Sequence, residues 1–243
     1  MRIAVAGGTG VVGSLVVQEI EKRGNEAVVL TRSTGCDLTT GDGLEARLAG
    51  VDAVIDVTST RSQSKRKASE FFGVVTRNLL AAEKAAGVGH HVALSIVGID
   101  DVPTGYYQGK LHQEQTIATG DVPWSILRAT QFHEFAEQSL SFVQIGPWSL
   151  VPQMSIQPVA AQEVAAKLVD IATGEPQGRA PDLAGPEPLE LVDLARTVNE
   201  RKSLSRRVVG LRVPGAGGRG MRSGALRPST DGPRGALTFQ QWL

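Results

Sequence analysis

The nine residues Val5-Ala6-Gly7-Gly8-Thr9-Gly10-Val11-Val12-Gly13 constrain the fold more than any other stretch of the chain. Arg2 to Ala6 reads as a short buried strand and Val11 onward as a helix. Three glycines at a spacing of three, Gly7, Gly10 and Gly13, therefore fall in and beside the connecting turn. The same letters also satisfy the pattern Gly8-x-Gly10-x-x-Gly13. In a strand–turn–helix context each glycine has a physical reason. The first permits the tight turn, the middle one lets backbone approach a pyrophosphate, and the last lets helix pack on strand. Phosphates would then lie against backbone N–H groups at the positive end of the helix. The alternative is an ordinary turn that tolerates glycine. The flanking strand and helix favour the nucleotide.

Apolar strands alternate with helical patterns from this turn to about residue 140. Strands are expected at 27–31, 53–58, 92–97 and 124–129, and helices at 11–23, 44–48, 68–86 and 106–118. The segment 32–38 leaves little room for a full third strand, and 58–67 reads as a loop. Such alternation implies βαβ units and a parallel sheet. The expected fold class is α/β, a Rossmann-like doubly wound parallel sheet with a small C-terminal substrate-binding subdomain. Residues 1–140 form the dinucleotide-binding core in this reading. Residues 141–243 form the substrate pocket, integrated with the core in one compact unit. Beyond 142 the spacing predicts a strand-and-loop segment to 158, then helices at 159–173 and 190–200. The tail from 201 to 243 is Gly/Arg-rich, with nine Lys or Arg residues against one acid, Asp231. It is expected to be a loop folding over the cofactor cleft rather than a nucleic-acid patch, with the last six residues as an amphipathic anchor.

Charge and cysteine content narrow the function classes. The 25 basic and 25 acidic residues cancel, so no global field favours nucleic acid or an anionic membrane. No apolar run approaches the ~18 residues of a membrane span, and no leader pattern precedes the first strand. The single cysteine, Cys36, excludes an intrachain disulfide or a cysteine metal cluster and suits a reducing cytoplasm. His90, His91 and His112 lack metal-ligand spacing. The expectation is a cytoplasmic protein with a small-molecule substrate and no nucleic-acid, membrane or metal partner.

Two further stretches could carry chemistry. A dinucleotide fold that prefers NAD usually places a carboxylate after the second strand, on the ribose 2′-hydroxyl. Here Thr31-Arg32-Ser33 occupies that place, with no acid before Asp37. Arg32 offers a guanidinium fork to a 2′-phosphate and Ser33 a hydroxyl, so NADP(H) is favoured over NAD(H). The second stretch is Tyr106-Tyr107-Gln108-Gly109-Lys110, following Ser95 near the end of the preceding strand. Tyr106 and Lys110 lie four apart on one helix face. A nearby ammonium would lower the tyrosine pKa toward a useful acid–base range, and Ser95 could hydrogen-bond a substrate carbonyl. Tyr107, three residues from Lys110, stays open as the acid. In the duller reading Tyr106 is a partly buried aromatic and Lys110 a surface partner of Glu114. His133 could face the substrate or be a polar wall at a helix start.

Together with Asp37-Leu38, Leu94-Ser95-Ile96-Val97-Gly98, Leu127-Arg128-Ala129-Thr130-Gln131-Phe132, Gln157-Pro158-Val159 and Thr238-Phe239-x-x-Trp242, these stretches resemble the NmrA-like branch of the atypical short-chain dehydrogenase/reductases. The resemblance implies a Rossmann domain that binds NADP. Gly7, Thr9, Gly10, Val11 and Val12 would hold the pyrophosphate, and Arg32 and Ser33 the adenosine phosphate. Asp37 and Leu38 would flank the adenine, with Val57, Thr58 and Ser59 along the cofactor. Lys110 would reach the nicotinamide ribose, and Thr130, Gln131 and Phe132 would lie near the nicotinamide and the substrate. The branch contains reductases of ketones, quinones or activated double bonds, and also dinucleotide sensors. The Tyr106–Lys110 pair favours a reductase of a small carbonyl or quinone-like substrate. The alternatives are a non-catalytic NADP(H) sensor or a non-redox isomerase, cyclase or epimerase. Gln131, His133, Phe135 and Trp148 are the candidate substrate residues. The aromatics between 132 and 148 suggest an apolar or aromatic ligand.

Overall fold

The computed structural model describes residues 1–243. Its elements are β1 (Arg2–Ala6), α1 (Val11–Lys22), β2 (Glu26–Leu30), α2 (Leu44–Leu48), β3 (Ala53–Asp56), α3 (Lys65–Ala86), β4 (His90–Ile96), α4 (Gly105–Ala118) and β5 (Trp124–Ala129). There follow α5 (Phe135–Ser139), β6 (Gln144–Ile145), β7 (Trp148–Pro152), β8 (Ser155–Ile156), α6 (Ala161–Ala172) and β9 (Gly178–Arg179). The chain closes with β10 (Leu189–Glu190), α7 (Leu191–Arg201), β11 (Arg207–Leu211), α8 (Gly215–Ser223) and α9 (Phe239–Trp242).

Six strands form one parallel sheet in the order β2-β1-β3-β4-β5-β9. It is the Rossmann-like α/β architecture expected from the alternation of elements. Strands buried on both faces need uninterrupted apolar side chains, and Ile3, Ala4, Val5, Val54 and Ile55 are fully buried. Between β2 and α2 no strand forms. A 3-10 turn at Arg32–Thr34 takes its place, closed by a capping box between Thr31 and Thr34. β2 is therefore a sheet edge. The chain steps from β1 to β2 on one side and then to β3 on the other. That reversal opens a crevice at the carboxyl ends of β1 and β3, where ligands of such sheets bind.

The chain divides into two compact units. The first comprises Met1–Ser95, Thr104–Arg128 and Gln162–Pro181, and the second Ile96–Pro103, Ala129–Ala161 and Asp182–Leu243. In the first, one side of the sheet buries Ala4, Val28, Leu30 and Val54 against Leu44, Leu48, Val75 and Leu79 of α2 and α3. Helices α3 and α4 approach closely there. A Cβ on Gly109 would come within 2.8 Å of Ala68.

In the second unit β11, β7 and β6 form a three-stranded sheet, and β10 pairs with β8. The tail expected to be a loop instead contains β11, α8 and α9. Helix α8 carries four glycines, and close packing requires two of them, Gly218 and Gly220. A Cβ on Gly218 would lie 1.9 Å from the Val213 carbonyl oxygen. The basic residues of the tail are largely internal ties. Arg206 donates to Ser149 Oγ, Arg222 to the Val213 carbonyl and Lys202 to Glu137.

Candidate nucleotide and proton-transfer site

The glycine loop is built by backbone contact. Gly7 has φ +84° and its missing Cβ would lie 2.9 Å from the Val57 carbonyl oxygen on the neighbouring chain segment. At Gly13 a Cβ would sit 2.1 Å from the Gly7 carbonyl oxygen, so α1 starts hard against the loop. Gly10 differs. Its Cβ would meet only the Gly7 carbonyl oxygen, at 3.4 Å, and otherwise open space. No side chain caps α1, and its first turn carries no acid. The positive end of the helix is thus available to an anion. Beside it, Thr58 Oγ1 is buried without a partner in the chain. An open cradle at a helix start with an orphaned hydroxyl fits a dinucleotide pyrophosphate.

At the end of β2, Arg32 and Ser33 are exposed in the 3-10 turn, and Ser33 Oγ lies 2.9 Å from Thr31 Oγ1. Asp37 closes a local turn, accepting from Thr39 N at 2.8 Å and Thr39 Oγ1 at 2.5 Å. These hydrogen bonds hold its carboxyl below the usual range. Leu38 is half-buried against the core. Val57, Thr58 and Ser59 follow β3 directly.

Ser59 Oγ and the Tyr106 hydroxyl are 2.9 Å apart. Tyr106 lies in the first turn of α4, which Thr104 caps, and packs edge-on against Phe72. Lys110, one turn later, is buried to 3% exposure. Its Nζ lies 4.8 Å from the Phe72 ring centroid and donates to Gln113 Oε1. Gln113 Nε2 in turn donates to Asp56 Oδ2 at 2.7 Å, and Asp56 Oδ1 accepts from Thr58 N. A buried chain Lys110–Gln113–Asp56 thus ends at the strand end beside the glycine loop.

This arrangement corrects the expected coupling of Tyr106 to Lys110. Burial pushes the Tyr106 phenol above its ordinary value, against the Ser59 hydrogen bond. Burial pushes the Lys110 ammonium down to about 8, against the pull of Asp56 and Glu114. The Lys110 hydrogen bond goes to Gln113, and the two side chains meet through Phe72 instead. Nor is Lys110 a surface partner of Glu114. The Glu114 carboxylate is buried and gripped by Arg128 at 2.8 and 2.7 Å and by Arg179 at 2.9 Å. Burial alone would raise it, but Arg128 and the nearby Ser95 hold it below the usual range. Ser95 is itself buried beside this carboxylate.

The remaining candidates belong to the second unit. Thr130 Oγ1 donates to the Gln157 carbonyl at 2.5 Å. Gln131 is buried, and neither of its amide atoms has a partner in the chain. Phe132 bridges to Val159. His133 is buried, its Nε2 3.0 Å from the Leu237 carbonyl oxygen, with the rings of Phe239 and Trp242 each 5.6 Å away. It anchors the terminal helix, which explains the apolar terminal pattern. Phe135 stacks edge-on with Phe142, and Trp148 lies exposed on β7 under Arg207. Spacing alone missed Asp56 and Gln113. The legible signal was an acid closing the otherwise apolar run Ala53-Val54-Ile55-Asp56.

A family model described as NAD(P)H-binding matches residues 7–174. The chain belongs to the NAD(P)H-binding family. Its membership agrees with the resemblance to NmrA-like short-chain dehydrogenase/reductases. This NAD(P)H-binding chain is similar to the chloroplastic divinyl chlorophyllide a 8-vinyl-reductase of Arabidopsis thaliana, 23% identical over 72% of the chain and 51% of that protein. It spans about half the length of the curated relatives it matches. Its fold is similar to that of the NADPH-dependent quinone oxidoreductase QOR2 of Escherichia coli, complexed with NADPH. The identity is 19%, with 92% of this chain and 90% of that one covered and a TM-score of 0.68. It is also similar to the UDP-glucose 4-epimerase of Thermus thermophilus in complex with NAD, at 18% identity, coverage of 99% and 91%, and a TM-score of 0.68. At these identities the solved structures speak for the fold alone. No helix of the chain is long and apolar enough to cross a membrane.

Proposed function

We propose that the chain is an NADP(H)-dependent reductase of a small carbonyl or quinone-like substrate, with Tyr106 as proton donor. The observation that carries this reading is the Tyr106–Ser59 pair at 2.9 Å, next to the loop that fits the pyrophosphate. Arg32, exposed where NAD-preferring folds keep an acid, supports the phosphorylated nucleotide. The reduced nicotinamide, when bound, supplies a hydride to the electrophilic carbon. The Tyr106 O–H then gives its proton to the substrate oxygen, which becomes the product hydroxyl. A phenol held above its ordinary pKa stays protonated near neutrality, which suits donation and hence reduction. Ser59 is exposed and can return a proton to the phenolate from solvent. Lys110 acts as a buried positive charge that steadies the phenolate, and Asp56 and Gln113 hold that charge in place. Ser95 receives no role beside Glu114.

The test is Tyr106→Phe, assayed with NADPH over a panel of quinones and ketones. Turnover should fall by about 100- to 10,000-fold, with NADPH affinity within about threefold of wild type because the nucleotide contacts remain. Unchanged turnover would remove Tyr106 from the chemistry. NADPH binding by the wild type with no turnover across the panel would place the chain among the non-catalytic sensors.

A further inference from the structure

Nine large apolar side chains of the chain are exposed, and seven of them fall between Phe142 and Leu211 in the second unit. They are not scattered. In the three-stranded sheet, register sets Ile145 beside Trp148, Val209 beside Leu150 and Leu211 beside Pro152. Alternation sends Ser149 and Val151 inward, where both are buried, and turns Gly210 the same way, where an added Cβ would lie 3.4 Å from Val192 of α7. The outer face is left with apolar side chains and Arg207, whose guanidinium lies over the Trp148 ring at 5.1 Å. It carries no acid.

One end of this sheet is shaped as a tip. Ile145, the last residue of β6 before the β6–β7 turn, is the most exposed of the set at 61%. Arg207 N donates to the Pro147 carbonyl, so the loop before β11 lies at the same end. In that loop Ser203 and Ser205 are the two non-glycine residues with positive φ, at 52° and 54°, and exposed Leu204 stands between them. Such backbone persists only where the surroundings impose it. Asn199 does so here, exchanging hydrogen bonds with the Arg206 backbone at 3.1 and 3.0 Å.

Charge identifies the occupant. Arg201 and Arg207 are exposed at the tip, beside Lys202, which pairs with Glu137, and Arg206, which is tied to Ser149 and the Trp148 carbonyl, and the further acid nearby in sequence is Glu200. A symmetric dimer through this face would bring the same arginines against each other. A surface that is both apolar and anionic meets both features. We propose that the outer face of the β6–β7–β11 sheet seats the protein on an anionic lipid surface, with Ile145, Trp148 and Leu204 entering the interfacial layer. Aromatic and aliphatic side chains flanked by cations are the chemistry of such contacts. This is peripheral binding, and it revises the expectation of no membrane partner drawn from overall charge.

The test is cosedimentation of the full chain with vesicles of phosphatidylcholine alone, or with one-third phosphatidylglycerol. The anionic vesicles should bind the wild type at least about tenfold more tightly, and binding should weaken several-fold between about 0.1 and 0.5 M salt. Ile145→Glu and Leu204→Glu should each cost roughly tenfold or more. Arg207→Glu should abolish the preference for anionic lipid. All three positions are exposed, and unchanged melting curves will show that the variants fold. Absence of binding to anionic vesicles at low salt would overturn the proposal. So would equal binding to both vesicle types, or variants that bind like wild type. A wild-type dimer made monomeric by Ile145→Glu, without vesicle binding, would assign the face to a second copy. Binding to an acidic soluble protein but not to vesicles would likewise refute the lipid assignment.

Discussion

Gly10→Ala separates the fold of the glycine loop from its ligand. At Gly10 the backbone has φ −80° and ψ 176°, open to any residue. An added methyl would meet the Gly7 carbonyl oxygen at 3.4 Å and nothing else within 4 Å. The fold should therefore tolerate it. The cost is the poorer N-cap, about 1 kcal/mol, or a fall in Tm of about 2–4 °C for a chain of this size. The methyl would, however, fill the space in front of α1 that the proposed reading assigns to the pyrophosphate. Losing one charge-assisted hydrogen bond from backbone N–H to phosphate costs about 1.5–3 kcal/mol, a weakening of roughly 10- to 150-fold. Gly13→Ala is the control of opposite kind. Its Cβ would sit 2.1 Å from the Gly7 carbonyl oxygen, so backbone must move and stability should drop by about 3 kcal/mol or more. Thermal melts and NADPH titration by fluorescence distinguish the two. A Gly10→Ala protein that binds NADPH within about threefold of wild type would refute the placement of the pyrophosphate at this helix start.

Arg32→Glu should invert nucleotide preference, with NADPH weakened roughly 10- to 100-fold and NADH little changed. Paired titrations read the ratio, and an unaltered ratio would release Arg32 from the phosphate. Lys110→Met tests the buried ammonium through pH. Its folded value of about 8 lies below the ordinary 10.5, so the folded protein releases this proton while the unfolded chain still holds it. Between those pH values the wild type should gain about 3 kcal/mol relative to Lys110→Met, because the cost of burying the charge disappears as the folded protein deprotonates. Parallel denaturation curves from pH 7 to 10.5 give that difference, and two parallel pH profiles would contradict it. Glu83→Gln breaks a fully buried pair in which Glu83 accepts from His91 Nδ1 at 2.8 Å. Burial opposes the charged imidazole, yet the Glu83 charge and hydrogen bond lift His91 above its ordinary value. That contribution is full below the unfolded pKa and is lost as pH rises through the folded one. The variant should lose about 3–5 kcal/mol at low pH, with the gap to wild type narrowing on titration above pH 6.5.

The central sheet was legible because local and tertiary requirements agree there. A run such as Ala53-Val54-Ile55 can be satisfied only as a doubly covered strand, and the glycine turn leaves little choice at α1. The second unit was less legible because its elements depend on distant partners. Strands β6 and β8 have two residues each, too short for any periodicity to register. Helix α8 contradicts its own propensity, since glycine disfavours a helix by about 1 kcal/mol per residue. Two of its glycines, Gly218 and Gly220, are explained only by Val213 and by Val102, the latter 2.9 Å from where a Gly220 Cβ would be. No reading of the tail by composition could contain that information. The same holds for its arginines, several of which are hydrogen-bond struts.

At the site, spacing placed Tyr106 and Lys110 on one face of α4 but could not say what lies beneath that face. Desolvation decides what each group does. The phenol is held protonated by burial, and the ammonium is weakened by it but kept charged near neutrality by Asp56 and Glu114. A lysine hydrogen-bonded to the tyrosine would compete with Ser59 for its oxygen and favour the phenolate in the resting protein. With the cation on the far side of the Phe72 ring and hydrogen-bonded to Gln113, the proposed mechanism keeps the phenol a donor until the substrate oxygen takes its proton. In that mechanism the phenolate then adds a negative charge for Lys110 to stabilise, besides those of Asp56 and Glu114. Under the proposed mechanism the separation would load the electrostatic gain onto the step that makes charge, which is where it would lower a barrier. On this reasoning Gln113→Leu, which severs the link to Asp56, should leave NADPH affinity within a few-fold of wild type and lower turnover more than about tenfold. An equal loss in binding and turnover would mean that the buried chain serves the nucleotide and not the proton.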